Sequence, residues 1–70
     1  MRADPLLLFG KRLSQIRKAQ GYSQESLALE SGMARSYLSE VERGRRNIAL
    51  RNICKLARTL RVKPAHLVDF

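Results

Sequence analysis

The chain has 70 residues, which predicts one small domain over residues 1–70, and its 44% hydrophobic and 29% charged residues exclude a disordered tail. Its 14 basic residues against 6 acidic ones give a formal charge of +8, which indicates a polyanionic partner such as nucleic acid. With one cysteine and one histidine, the chain can form neither an internal disulfide nor a zinc site of its own.

The first predicted helix covers about residues 5 to 20. Pro5 suits a first helical turn, because its missing N–H would have no partner there, and Gly21 can supply the left-handed backbone that ends many helices. Spacings of three and four positions define one apolar face. The residues of that face are Leu6, Phe9, Leu13 and Ile16.

Two short helices joined by a glycine turn are predicted next, over about residues 24–31 and 34–43. We expect Ser23 to cap the second helix by accepting from free amide hydrogens of its first turn. Gly32 falls where a left-handed backbone must end that helix, and Ala28 falls where the two helices approach most closely. This spacing is typical of a helix-turn-helix.

A fourth helix from about Leu50 and a short fifth helix from Pro64 to near Phe70 complete the prediction. No segment has the signal of a β-strand, so the fold class is all-α with five helices. The predicted apolar face of the fourth helix consists of Leu50, Ile53, Leu56, Ala57 and Leu60.

The run GYSQESLALESGMARSYLSEVERGRRNIAL, with NICKLARTLRV after it, resembles the lambda-repressor-like, Cro-type helix-turn-helix family over about residues 8 to 68. Within that family, RSYLSEVERGRRNI is most similar to restriction-modification controller proteins, which are small dimeric transcription regulators. The positions that match the family pattern are Gly21, Ser23, Gln24, Leu27, Ala28, Gly32, Leu38, Glu42 and Gly44.

The resemblance implies a compact five-helix DNA-binding domain with an ion pair between Arg17 and Glu42. Two positions depart from the family pattern. Ser31 replaces an apolar residue that often precedes the turn glycine, and Ile48 stands where many relatives have proline. The departures predict a slightly looser second helix and leave the path of residues 45–49 open.

The exposed side of the third helix is the predicted DNA reader. Leu38 and Val41 form its apolar side, so packing that side exposes the opposite one. In helix-turn-helix proteins the start of the second helix of the motif meets base edges, and Arg35 is the leading candidate for a bidentate contact to guanine. The predicted base-reading residues are Ala34, Arg35, Ser36, Ser39 and Glu40.

Phosphate contacts are predicted on both sides of this reader. The resemblance gives Gln24 such a role, and Tyr37 is expected to pack with its ring while its hydroxyl meets a phosphate. The predicted set is Gln24, Tyr37, Arg43, Arg46 and Asn47. For Arg35 the simpler alternative is a solvated helix residue, and for Ser39 a bond to a local carbonyl.

A homodimer is predicted through the end of the fourth helix and the fifth helix, because the apolar residues there outnumber what a short final helix can bury. The predicted interface residues are Leu60, Val62, Pro64, Leu67 and Phe70.

The sequence therefore predicts a DNA-binding transcription regulator that meets a near-palindromic operator on double-stranded DNA as a homodimer. Three alternatives stay open: an antitoxin-type interaction module, a DNA-binding fragment of a larger phage-type repressor, and a basic protein that binds membrane or RNA by charge alone. No enzyme motif, cofactor, small-molecule ligand, signal peptide or membrane segment is evident, and the expected location is the cytoplasm.

Overall fold

The computed structural model describes residues 4–70, which contain five helices and no strand. The helices are α1 (Pro5–Ala19), α2 (Gln24–Ser31), α3 (Arg35–Glu42), α4 (Leu50–Leu60) and α5 (Pro64–Leu67). The all-α prediction is confirmed. The last helix is shorter than expected, because Leu67 is its last core residue and residues 68–70 are exposed.

The beginning of α1 is fixed by a cap that the sequence analysis did not identify. The carboxylate of Asp4 accepts a hydrogen bond from the backbone N–H of Leu6 at 2.9 Å, and Pro5 occupies the first helical position. Together they satisfy or remove donors that a helix start otherwise leaves unpaired.

Within residues 4–70, no helix combines the length and the apolar character needed to cross a bilayer.

One hydrophobic core lies between the helices. α1 packs against α3 and α5, α2 packs against α3 and α4, and α4 packs against α5. Because α3 contacts both α1 and α2, two sides of this helix are supported. The buried apolar residues are Phe9, Leu13, Ile16, Leu27, Ala28, Leu38, Val41, Leu56, Ala57, Leu60 and Leu67.

α1 and α3 touch through a glycine. Gly10 is buried, and a Cβ added there would lie 2.7 Å from the carbonyl oxygen of Val41 and closer still to that of Glu42. A methyl group cannot fit at these distances, so the last carbonyls of α3 rest directly on the backbone of α1.

Two predictions about apolar residues are wrong. Leu50 is 72% exposed, because it is the first residue of α4 and lies before the part of the helix that faces the core. Leu60 and Leu67 are fully buried in the chain's own core, so neither can offer surface to a second subunit. Val62 is half-buried, and Phe70 is 56% exposed.

Candidate nucleic-acid interface

The turn between α2 and α3 has the geometry that the sequence predicts. Gly32 adopts the left-handed conformation at φ 72° and ψ 36°, and the N–H of Met33 reaches back to the carbonyl oxygen of Ala28 at 2.8 Å. This bond satisfies one of the last carbonyls of α2, and the turn allows α3 to begin at Arg35. The glycine turn therefore determines where α3 starts.

The start of α2 is held by a reciprocal cap. The hydroxyl of Ser23 accepts from the N–H of Ser26 at 2.9 Å, as predicted for Ser23, and the Ser26 hydroxyl accepts from the N–H of Ser23 at 3.0 Å.

Next to this cap, the Tyr22 hydroxyl donates to Glu30 at 3.2 Å. Loss of solvent around this hydroxyl, and then the Glu30 carboxylate, raise the pKa of Tyr22 above its ordinary value of 10.0.

Glu42 joins three helices at the far end of α3. Arg17 on α1 donates to its two carboxylate oxygens at 2.6 and 3.0 Å, and Gln24 on α2 donates to Oε1 at 2.9 Å. The Arg17 and Glu42 side chains are only 9% and 6% exposed. The Arg17–Glu42 ion pair is thus confirmed, and the bond from Gln24 was not anticipated.

The reading face of α3, which we define as Ala34, Arg35, Ser36, Ser39 and Glu40, lies on the outside of the domain. Its first three residues are exposed and the last two are half-buried. Leu38 and Val41 are buried on the opposite side, as predicted. Within residues 4–70, the side chain of Arg35 forms no hydrogen bond or ion pair, so its guanidinium is available to a ligand.

Two of the predicted DNA contacts are bonded to each other. Arg46 donates to Oε1 of Glu40 from Nη2 at 2.9 Å and from Nε at 3.2 Å, and its guanidinium carbon lies 5.3 Å from the centre of the Tyr37 ring. Asn52 on α4 donates to the Tyr37 hydroxyl oxygen at 3.0 Å. Glu40 and Arg46 are therefore partners in the free protein rather than independent contacts.

The remaining predicted phosphate residues, Arg43 and Asn47, are exposed in the segment after α3. Ile48, which stands in place of proline, packs partly buried against the core and anchors this segment. The hydroxyl of the buried Ser31 donates to Thr59 at 3.2 Å, so this departure from the family pattern forms a hydrogen bond between α2 and α4. Among residues 4–70, no three side chains of ligand type come together as a metal site.

Comparisons with known proteins agree with this geometry. A family described as helix-turn-helix matches residues 13–67. Control protein C.BamHI of Bacillus amyloliquefaciens is 48% identical over 65 residues, which are 91% of this chain and 80% of that protein. The crystal structure of the restriction-modification controller protein C.AhdI from Aeromonas hydrophila has 53% identity and a TM-score of 0.87, covering 89% of this chain and 94% of that chain.

A third similar structure is that of SinR, the master regulator for biofilm formation, in complex with DNA. Its identity is 39% and its TM-score 0.83, covering 87% of this chain and 98% of that chain. Some relatives are longer, since the match spans only 57% of the SinR protein of Bacillus subtilis. The matched region contains α2, the Gly32 turn and α3. The chain therefore belongs to the helix-turn-helix family.

Proposed function

We propose that this protein is a sequence-specific DNA-binding transcription regulator that acts as a homodimer on a near-palindromic operator, most similar in role to a restriction-modification controller. The observation that carries the proposal is the exposed position of Arg35 at the start of α3, where its side chain has no hydrogen-bond or ion-pair partner within residues 4–70. The start of this helix is the part that enters the major groove in helix-turn-helix proteins.

The reading face supplies the base contacts in this proposal. Arg35 offers two parallel N–H donors to a guanine, Ser36 offers a hydroxyl, and Ala34 presents a methyl group suited to thymine. Ser39 lies one turn further along. Glu40 is paired with Arg46 in the free protein, and a base contact from Glu40 requires this weak, exposed ion pair to open or to move with it.

The phosphate contacts come from residues on both sides of the reading face. Arg43 and Asn47 are exposed, and Arg46 retains exposed surface while it contacts Glu40. The Gln24 side chain has one amide hydrogen left after its bond to Glu42, and the first turn of α2 has free backbone N–H groups. If a dimer neutralises roughly 6 to 10 phosphates, affinity should fall about a thousandfold or more between low and moderate salt.

The dimer contact in this proposal uses apolar surface near the C-terminal end of the described chain. Val62, Pro64 and Phe70 from the predicted set retain accessible surface, and Val68 adds to them at 46% exposure. A groove beside α5 also carries Lys63 and Asp69, opposite charges that a two-fold arrangement can place face to face. No catalytic step or cofactor is part of the proposed role, and the proposed location is the cytoplasm.

The binding experiment begins with selection of duplexes from a random pool by the wild-type protein. Affinity is then measured for the selected duplex and for random duplex, at two salt concentrations, with Arg35→Ala and Arg43→Ala. Arg35→Ala should lose discrimination by roughly 5- to 150-fold per half-site, the range of one bidentate base contact. Arg43→Ala should weaken both duplexes alike and reduce the salt dependence.

Equal effects of the two variants on both duplexes would contradict sequence reading by Arg35 and favour binding by charge alone. For the dimer, sedimentation velocity of Val68→Asp should reveal a shift toward monomer. Leu29→Asp is the matched control, because Leu29 is also exposed, at 79%, but lies on α2. A dimer that survives Val68→Asp and dissociates in Leu29→Asp would place the interface elsewhere.

A further inference from the structure

Asn52 connects α4 to α3 through a single hydrogen bond. Its Nδ2 lies 3.0 Å from the hydroxyl oxygen of Tyr37, and each residue is the third of its helix. An amide nitrogen carries hydrogens and no free lone pair, so it donates and the hydroxyl oxygen accepts. Both side chains are half-buried, which limits the directions open to each.

This bond determines what the Tyr37 hydroxyl can offer to a ligand. A hydroxyl oxygen that accepts from one side directs its single hydrogen elsewhere. Within residues 4–70, that hydrogen is donated to no acceptor. The Arg46 guanidinium lies over the ring of the same tyrosine, and its Nη1 takes no part in the bonds to Glu40. An anion arriving here meets an O–H donor whose ring packs against the guanidinium of Arg46, which is also bonded to Glu40.

We infer that Asn52 is a positioning residue for DNA binding, which holds Tyr37 so that its hydroxyl donates to a phosphate of the duplex. This role rests on the proposed function and extends it to a residue outside the helix-turn-helix. Hydrogen bonds to an ionised phosphate are stronger than bonds between neutral groups, so directing the hydroxyl hydrogen outward strengthens the contact. Asn52 contributes without touching the DNA.

The sharpest test reverses the direction of this hydrogen bond. In Asn52→Asp the carboxylate only accepts, so it takes the hydroxyl hydrogen away from the phosphate. Asp in the first turn of a helix complements the helix dipole, so this variant should fold at least as well as the wild type, as judged by thermal unfolding. Asn52→Leu removes the donor without adding charge, and Tyr37→Phe removes the hydroxyl itself.

Affinity for the selected duplex and ethylation interference are measured for each variant. Tyr37→Phe should weaken binding roughly ten- to 150-fold per half-site, the range of one hydrogen bond to a charged group, and ethylation of one phosphate should cease to interfere. Asn52→Asp should remove interference at that same phosphate, with a loss at least as large because its charge also repels the DNA. In the wild-type background, Asn52→Leu should lower the affinity for the selected duplex. In the Tyr37→Phe background it should have no further effect on that affinity.

An unchanged interference pattern in Asn52→Asp would overturn this positioning role. An equal loss from Asn52→Leu with and without the Tyr37 hydroxyl would overturn it too, because Asn52 would then act on DNA directly or on the fold alone. Both outcomes leave the proposed function intact. If the wild type selects no duplex at all, the proposed function and the positioning role fail together.

Discussion

Glu42→Ala should cost this domain a large part of its stability. The substitution removes the acceptor of three hydrogen bonds and leaves the Arg17 guanidinium, whose side chain is 9% exposed, with only the Tyr22 carbonyl oxygen at 2.9 Å. Removing one partner of a buried ion pair typically costs about 3 to 5 kcal/mol. Typical stability per residue gives a 70-residue domain a total of roughly 4 to 10 kcal/mol.

Glu40→Ala is the matched control, because it removes the same side chain two residues earlier on α3. The Glu40–Arg46 pair is 46% and 52% exposed, so its loss should cost at most about 1 kcal/mol. Urea-induced unfolding followed by far-UV circular dichroism measures both. Equal midpoints for the two variants would refute the reasoning, since burial would then not decide the cost. The double variant Arg17→Met, Glu42→Leu should have a higher urea midpoint than Glu42→Ala, because no unpaired charge stays buried in it.

Gly10→Ala should destabilise the fold by about 1 to 3 kcal/mol, because the new methyl group meets α3 backbone; an unchanged urea midpoint would contradict this close approach. Arg61→Gly should stabilise it by roughly 0.5 to 1 kcal/mol, because Arg61 has φ 57° at the end of α4, and a lower melting temperature would count against that expectation. Glu30→Gln should lower the raised pKa of Tyr22, because it removes the neighbouring negative charge. Ultraviolet titration of tyrosinate measures this in a Tyr37→Phe background, and a pKa that stays unchanged would exclude Glu30 as a cause.

Features that depend on local chain chemistry could be predicted from the sequence. Ser23 caps α2 and Gly32 ends it, because the capping hydroxyl and the left-handed backbone are requirements of the chain itself. Leu38 and Val41 are buried as helical periodicity indicates. The family pattern added the Arg17–Glu42 pair, which no local rule supplies.

Features that depend on which elements meet could not be predicted in this way. Gly10 has no marker in the sequence, because a glycine inside a helix signals a close approach only once the partner helix is known. Leu50 follows the apolar spacing of α4, but periodicity does not tell where the neighbouring helices stop covering it. The sequence predicts Leu60 and Leu67 at a dimer interface because it does not show that α1 and α4 both pack against α5 and bury apolar residues there.

The same distinction between local and long-range features applies to the candidate site. The exposure of Arg35 follows from the burial of the opposite helix side, so it was predictable. The bonds of Glu40 to Arg46 and of Asn52 to Tyr37 join side chains 6 and 15 positions apart in sequence. Polar residues at such separations have many possible partners, and only the packed chain selects one.

The bonds of Glu42 that orient the third helix are separate from the residues that we propose read DNA. Its carboxylate ties that helix to the two before it, whereas Arg35 and Ser36 lie at the surface and have no role in the core. Under the proposed function, substitutions at these two exposed positions change the preferred DNA sequence with little loss of folding stability. If the proposed function holds, such a protein can acquire a new operator in few mutational steps, because the bonds that orient α3 do not change.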